Sequence, residues 1–149
     1  MILWRISDHP ALDGVGGLWV PGRWHTPGRR VVYCAPNPAT ALVEILVHLR
    51  IDADDLPDPL QYLEIEAPDT ISTEGVDVGS LGRNWQTDVH ATRRSGDEWL
   101  HSGRTALLRV PSVVVPATWN DLINPQHPES AQIRIARAHR HSIDSRLLR

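Results

Sequence analysis

The most unusual ionisable residue of the chain is a glutamate within an apolar segment, in the stretch GRWHTPGRRVVYCAPNPATALVEILVHL at 22–49. Thr40, Glu44 and His48 are spaced by four, so a helix would place them on one face. This polar stripe faces either water or a polar cleft, and the pattern by itself favours water. In a cleft, Glu44 could accept a hydrogen bond from a substrate hydroxyl and stabilise a developing positive charge.

Two arginines are candidates for binding an anion. Arg23 lies between Gly22 and Trp24, and a planar guanidinium beside a flat ring suits an anion attached to an aromatic group. A surface loop arginine shows the same pattern. Arg5 lies in an apolar segment, where an unpaired buried charge would be very costly. It is therefore either a surface residue at the end of a strand or a ligand-binding residue.

Tyr33 and Ser112 are weaker candidates. Tyr33 is predicted to lie on a strand, where packing is its more common role and ring stacking is the alternative. Ser112 follows Pro111 and lacks the glycines that surround a serine nucleophile in the nucleophile-elbow motif.

Composition narrows the class of protein. The length of 149 residues predicts one domain, 1–149. With Cys34 as its single cysteine the chain cannot form an internal disulfide, which favours the cytoplasm. No apolar stretch approaches the roughly 20 residues of a membrane span. The eight histidines show no zinc-binding spacing, so no metal is expected. The net charge of −3 argues against nucleic-acid binding, and the arginine-rich segment from Arg134 is more typical of a solvated strand.

The elements that must position these residues follow from periodicity and turn signals. A helix is predicted to begin at Asn37–Pro38 and to end near Arg50, and a second is placed loosely within 85–102. The segments 51–59, 68–84 and 120–129 are predicted to be loops. The glycine-rich segment 13–17 either cradles a phosphate or connects two elements. Strands are predicted at 2–6, 30–35, 60–66, 106–115 and around Ile133, Ile135 and Ile143. The order of elements favours a mixed α/β or α+β fold over a doubly wound one.

Taken in order, these segments resemble the RES family, the toxin halves of bacterial toxin–antitoxin pairs. The resemblance spans almost the whole chain, and its combined order is specific. His25 departs from the pattern, because the family often has asparagine after Gly-Arg-Trp. The matching segments are LWRI at 3–6, GRW at 22–24, PG at 27–28, VYCA at 32–35, ALVE at 41–44, VHL at 47–49, GDEWL at 96–100, VPSVVVP at 110–116, Asn120, NPQHP at 124–128 and DSRL at 144–147.

The resemblance implies an ADP-ribosyltransferase-like split β-sheet with flanking helices around an NAD⁺ cleft. Family members degrade NAD⁺ or transfer ADP-ribose, and a helix-turn-helix antitoxin blocks the cleft. The family is named for an arginine, a glutamate and a serine. The residues that match in this chain are Arg23 or Arg5, Glu44 and Ser112.

The resemblance also implies roles for individual residues. Glu44, Arg23 and Tyr33 would be catalytic: Glu44 would stabilise the cationic sugar that forms as the nicotinamide–ribose bond breaks. Arg23 and Arg5 would clamp the pyrophosphate, and Tyr33 would stack on nicotinamide. NAD⁺ would be the substrate, and no metal is required. The NAD⁺-binding candidates are Arg5, Trp24, Ser112 and Asn124.

The leading hypothesis is thus a toxin of a type II toxin–antitoxin system that cleaves the nicotinamide–ribose bond of NAD⁺ by hydrolysis or phosphorolysis. The alternatives are a toxin that ADP-ribosylates a protein and a non-enzymatic nucleic-acid-binding module. The expected partner is a helix-turn-helix antitoxin that covers Arg23 and Glu44. Neither a membrane nor a nucleic acid is expected to bind this chain, and its oligomeric state is open.

Overall fold

The computed structural model describes residues 1–48 and 58–148. These residues form two α-helices and seven strands. The helices are α1 (Pro38–His48) and α2 (Val89–Ser102). The strands are β1 (Ile2–Ile6), β2 (Val32–Cys34), β3 (Leu60–Glu66), β4 (Thr73–Gly75), β5 (Leu107–Pro111), β6 (Trp119–Ile123) and β7 (Arg134–His141).

The strands form two sheets that meet at one point. The first sheet has the antiparallel order β1-β3-β7, and the second has the order β2-β6-β5-β4, in which β4 and β5 are parallel. Trp4 and Ala35 join the sheets through reciprocal hydrogen bonds, with Trp4 N to Ala35 O at 2.9 Å and Ala35 N to Trp4 O at 2.7 Å. The predicted mixed α/β class with a split sheet is confirmed.

The second sheet is buried on both faces because β5 and β6 alternate apolar residues toward two cores. Leu107 and Ile123 pack against Leu3, Leu63 and Ile65 of the first sheet. On the opposite face lies a second cluster, which we call the tryptophan core. Its residues are Trp24, Val31, Leu81, Trp99, Leu108, Val110 and Leu122.

Helix α1 begins as predicted, and its polar stripe is only partly exposed to water. The Asn37 side chain caps it by accepting a hydrogen bond from the Thr40 amide at 2.8 Å, and α1 packs against β1. Thr40 is buried, whereas Val43 and Val47 are 37% and 54% exposed. Along the polar stripe, Glu44 is 21% exposed and His48 is 69% exposed, so the stripe runs from the interior at Thr40 to solvent at His48 and does not face water along its whole length.

Several predicted boundaries and one element are wrong. The segment 120–129 was expected to be a loop, but it contains most of β6, a central strand of the second sheet. The strand predicted at 106–115 ends at Pro111, the one at 30–35 contains only β2, and the loop at 68–84 includes β4. The last strand contains Ile135 but neither Ile133 nor Ile143.

The helix predicted within 85–102 begins at Val89, where the Asp88 side chain accepts from the Ala91 amide at 3.1 Å. The predicted acidic loop at 51–59 falls mostly on residues 51–57, which lie outside the described residues, as does the predicted helix end at Arg50. No helix in the described ranges is long and apolar enough to cross a membrane.

The glycine-rich segment is a packed turn. Val15–Leu18 form a short 3₁₀ helix after Gly14, which has a left-handed φ of 68°. A Cβ on Gly17 would lie 2.3 Å from the Arg29 carbonyl oxygen. The glycines thus allow two backbone segments to pack closely, which explains them without a phosphate.

Candidate functional site

The Glu44 carboxylate is held by the hairpin that connects β5 and β6. Its Oε1 accepts hydrogen bonds from Ser112 Oγ at 2.7 Å and from Asn120 Nδ2 at 2.9 Å. Among the described residues, the ionisable side chain that lies against Oε2 is His48, whose Nε2 is 3.9 Å away. The Glu44 side chain is 21% exposed. One carboxylate oxygen is therefore fixed by two donors, whereas the other accepts no hydrogen bond from residues 1–48 and 58–148.

Ser112 orients the carboxylate and organises its own loop. Its Oγ accepts from the amides of Val114 at 3.1 Å and Val115 at 3.0 Å, and its backbone amide donates to Thr118 O at 2.8 Å. A hydroxyl has one donor and two acceptor positions, and all three are used when Glu44 accepts the proton. This arrangement makes Ser112 a positioning residue and does not support a nucleophile.

Arg23 lies in a tight turn that helix α2 holds through the backbone. The Gly22 amide donates to His25 O at 3.2 Å to close the turn. Thr92 Oγ1 donates to Arg23 O at 2.6 Å, and Arg93 Nε donates to Gly22 O at 2.9 Å. Within the described residues the Arg23 guanidinium has no hydrogen bond or ion pair. The turn fixes the Arg23 backbone and leaves its charge free for an anion.

The next turn of α2 completes this support. A Cβ on Gly96 would lie only 1.7 Å from the Trp24 carbonyl oxygen, so only glycine allows the loop to lie this close to the helix. Asp97 accepts from the Thr26 amide at 3.0 Å and from Thr26 Oγ1 at 2.7 Å, and it pairs with Arg29 at 3.1 Å. Sequence reasoning used Gly96 and Asp97 only as part of the resemblance; the available signal was a glycine inside a predicted helix.

Tyr33 and His25 form an uncharged hydrogen-bonded pair, which we call the brace, and this pair supports the same turn. The Tyr33 hydroxyl accepts from the Trp24 amide at 3.1 Å and lies 2.7 Å from His25 Nδ1. His25 Nε2 lies 3.0 Å from Val20 O, which can only accept, so Nε2 carries the proton and Nδ1 accepts from Tyr33. Burial raises the pKa of Tyr33 and lowers that of His25. Both groups are therefore uncharged near neutral pH.

Strand register relates Tyr33, which supports the Arg23 turn, to Asn120, which donates to Glu44. Tyr33 on β2 pairs with Leu122 on β6, and Asn120 lies two residues before Leu122 on the same face. Such diagonal neighbours are about 7 to 8 Å apart. The register thus places Tyr33 diagonally across from Asn120, the residue that donates to Glu44.

The structure buries two of the predicted NAD⁺-binding side chains, Trp24 and Asn124. Trp24 is 3% exposed within the tryptophan core and contacts Trp85, with ring centroids 6.4 Å apart, so no ring face is open for stacking. Asn124 is also 3% exposed. Its Oδ1 accepts from the Gln126 amide at 3.1 Å and stabilises the turn after β6.

Arg5 lies where the two sheets meet. It follows Trp4, which bonds to Ala35, and its charge acts on the buried Cys34 thiol. Burial nevertheless raises the pKa of Cys34 to about 12, so the thiol stays protonated. Among the described residues the Arg5 guanidinium has no ion pair. The structure leaves Arg5 as a second candidate anion ligand.

Asn120 is the residue that sequence reasoning missed most clearly. It appeared there only as one matching position of the resemblance, without a role. Its contact with Glu44 joins residues 76 positions apart, which no local pattern predicts.

A pocket of about 300 Å³ adjoins Ser112 on the hairpin, with Trp85 and Trp119 among its lining residues.

Two other site types have little support in the structure. Across residues 1–48 and 58–148, no cluster of three or more histidine, cysteine, aspartate or glutamate side chains could hold a metal. In the arginine-rich strand β7, Arg134 pairs with Glu66 and His139 pairs with Glu64. These acidic partners on β3 offset part of the charge of β7.

The family model and the similar proteins found by comparison point to the same family. The family model described as RES domain matches residues 2–144. A protein called Toxin Res from Pseudomonas putida strain KT2440 is 45% identical, over 91% of this chain and 92% of its own length. The Prs ADP-ribosylating toxin of Sphingobium sp. strain YBL2 is 38% identical, over 98% of this chain and 96% of its own length.

A solved structure confirms the fold independently. The crystal structure of the M. tuberculosis MbcT–MbcA toxin–antitoxin complex contains a chain that matches this one with a TM-score of 0.76. The match covers 95% of this chain and 84% of the other at 14% identity. At that identity the likeness establishes the shared fold alone.

Proposed function

The chain belongs to the RES-domain family, and from this membership and its Glu44 site we propose that it is the toxin of a toxin–antitoxin pair and consumes NAD⁺. The bond cleaved would be the one between nicotinamide and ribose. The observation that carries the proposal is the Glu44 carboxylate, whose Oε1 accepts hydrogen bonds from Ser112 and Asn120, while Oε2 accepts none from the part of the chain that the structure describes.

The geometry of the carboxylate suits this chemistry. Cleavage of a glycosidic bond develops positive charge on the sugar. A carboxylate that is already oriented can stabilise this charge without reorganising during the reaction. Glu44 Oε2 would accept a hydrogen bond from a ribose hydroxyl, and its negative charge would lie near the cationic sugar. Ser112 and Asn120 would keep that oxygen in place.

The remaining groups suit the other parts of the substrate. NAD⁺ carries a pyrophosphate, and planar guanidinium groups bind phosphate oxygens through paired, charge-assisted hydrogen bonds. Arg23 and Arg5 would supply them, since neither is engaged by another described side chain. Tyr33 would contribute its ring at the floor of the site, while its hydroxyl stays bonded to His25.

The balance of the reaction is simple. The bond between the ribose anomeric carbon and the nicotinamide nitrogen breaks, and its electron pair leaves with nicotinamide, which becomes neutral. An oxygen or nitrogen nucleophile from water, inorganic phosphate or a protein side chain bonds to the anomeric carbon. When that nucleophile carries a proton, the proton goes to solvent. No oxidant or reductant is needed.

ADP-ribosylation of a protein is the second candidate. It is favoured by one observation, that a relative 38% identical over nearly the whole chain is called a Prs ADP-ribosylating toxin. The same Glu44 site would serve both reactions, because the bond cleaved is the same and only the acceptor differs.

The proposal includes a partner and a location. A cytoplasmic protein that consumed NAD⁺ without restraint would deplete the cell, so we propose a helix-turn-helix antitoxin that covers Arg23 and Glu44. The structural relative comes from a toxin–antitoxin complex, which supports the existence of a partner for this chain.

The test is to incubate the purified protein with NAD⁺ and to measure free nicotinamide. Three parallel reactions contain buffer alone, inorganic phosphate, or a lysate with NAD⁺ labelled in the adenosine part. Nicotinamide release is expected in at least one of them. Label fixed to one protein band favours the transferase, and release in buffer or phosphate favours the NAD⁺-degrading forms. No nicotinamide in any reaction contradicts the proposed function.

A further inference from the structure

Asn120 carries an unusual hydrogen-bonding pattern. It lies on β6 opposite Val110 of β5, and its Nδ2 donates to Glu44 Oε1 at 2.9 Å. Its Oδ1 is buried and has no hydrogen-bond partner among the described residues. This oxygen is the one buried side-chain polar atom in residues 1–48 and 58–148 that is left unpartnered.

The orientation of the Asn120 amide is set by Glu44. Turning the amide over would place Oδ1 against the carboxylate oxygen, and two acceptors would then repel each other. A buried carbonyl oxygen without a donor lowers stability by about as much as a lost hydrogen bond. Leucine has nearly the same shape and would carry no such penalty. The contribution of Asn120 to folding therefore does not explain its presence.

Two donors on one oxygen fix more than one donor can. With Ser112 alone, the carboxylate could rotate about the line joining Ser112 Oγ to Glu44 Oε1. The second donor, from the neighbouring strand of the same hairpin, removes this rotation. Glu44 Oε2 then keeps one direction.

We propose that Asn120 is a positioning residue for Glu44, and that its unpartnered Oδ1 is the stability penalty of that role. The inference rests on the proposed function, in which Glu44 Oε2 contacts the substrate. It separates Asn120 from Ser112, because Ser112 also holds the Val114–Val115 loop and its loss disturbs folding and orientation together.

The test compares Asn120→Leu with wild type. The expected result is a melting temperature that is unchanged or higher, together with a kcat for nicotinamide release about tenfold lower and a KM within about twofold. Asn84→Leu, the same change at an exposed position outside the site, serves as the control and leaves kcat unchanged. A melting temperature more than about 5 °C lower, or an unchanged kcat, overturns the proposal.

A second variant gives a signature that a structural role would not produce. Asn120→Asp keeps the shape but replaces the donor by a second carboxylate beside Glu44. Activity is expected to fall at pH 7 and to recover in part at lower pH, because a proton shared by two adjacent carboxylates restores a donor. A pH–rate profile parallel to that of the wild type contradicts the proposal.

A crystal structure of Asn120→Leu makes the inference independent of the reaction. Glu44 is expected to leave its wild-type conformer or to occupy more than one. A Glu44 side chain that stays single and unmoved overturns the positioning role. If wild type releases no nicotinamide, the proposed function fails, and the crystal structure and the melting temperature still decide whether Asn120 positions Glu44.

Discussion

The two charged sides of the site are held in different ways. On one side, the Glu44 carboxylate itself is bonded to two donors, Ser112 Oγ and Asn120 Nδ2. On the other side, α2 binds the backbone carbonyls of Gly22 and Arg23, and the guanidinium has no partner among the described residues. The structure fixes the carboxylate of Glu44, whereas for Arg23 it fixes only the backbone.

This difference fits two different roles. A group that stabilises the transition state is most effective when it is already oriented, since it then needs no reorganisation during the reaction. A group that binds a flexible anion in the ground state can adjust, provided that no ion pair must first be broken. Under the proposed function, Glu44 would take the first role and Arg23 the second.

Glu44→Gln removes the negative charge of the oriented carboxylate and is expected to have the largest effect on nicotinamide release. Glutamine keeps the size and the oxygen that accepts from Ser112, so the fold should persist. We expect nicotinamide release to fall at least 100-fold, about 2.7 kcal/mol in the barrier, with an unchanged melting temperature. Glu66→Gln on β3 is the control. Activity within a few fold of wild type would mean that Glu44 has a structural role.

Gly96→Ala disrupts the close packing of α2 against the turn that carries Arg23. The new methyl group would approach the Trp24 carbonyl oxygen to 1.7 Å. Because this oxygen belongs to the backbone, the whole Arg23 turn must move away from α2. We expect a loss of roughly 1–3 kcal/mol in stability, measured by urea unfolding, and a higher KM for NAD⁺. Gly16→Ala is the matched control, since nothing lies within 4 Å of its Cβ position. Equal stability of the two variants would contradict this assignment.

Acidification is expected to weaken the Tyr33–His25 brace beneath the Arg23 turn. This effect is expected to be smaller than those of Glu44→Gln and Gly96→Ala. Burial lowers the pKa of His25 below its ordinary 6.5, so the unfolded chain binds this proton more readily than the folded one. The contribution is complete above pH 6.5 and is lost as the pH falls below it, by at most about 1.4 kcal/mol per pH unit.

The measurement for His25 is unfolding by urea between pH 5 and 8. His25→Asn removes the titrating group and keeps a polar side chain at this position. Wild type should lose more stability than His25→Asn as the pH falls below 6.5. Parallel pH dependences would show that His25 does not titrate in this way.

Local sequence signals predicted the elements whose partners are nearby in the chain. The cap formed by Asn37 before Pro38 begins α1 as expected, and the alternating pattern at 60–66 gives β3. The helical pattern singled out Glu44, the family resemblance gave Ser112 a role, and the structure places the two in contact. Whether they act on NAD⁺ stays a prediction.

The errors concern residues whose roles depend on distant partners. Asn120 and Asp121 suggested a loop, but Asp121 is buried in β6 because Arg109 Nε donates to it at 3.1 Å. Trp24 beside an arginine looks the same in sequence whether its ring faces a ligand or a core. Gly96 shows its purpose only when the Trp24 backbone lies against it.

The most direct test of the division of roles is a calorimetric titration of NAD⁺ into Glu44→Gln, which should bind the substrate without consuming it. The account predicts measurable binding to Glu44→Gln, and affinity at least tenfold weaker when Arg23→Lys is added, because lysine loses the paired hydrogen bonds to phosphate. No binding to Glu44→Gln, or an affinity unaffected by Arg23→Lys, would contradict the claim that Arg23 holds the substrate on which Glu44 acts.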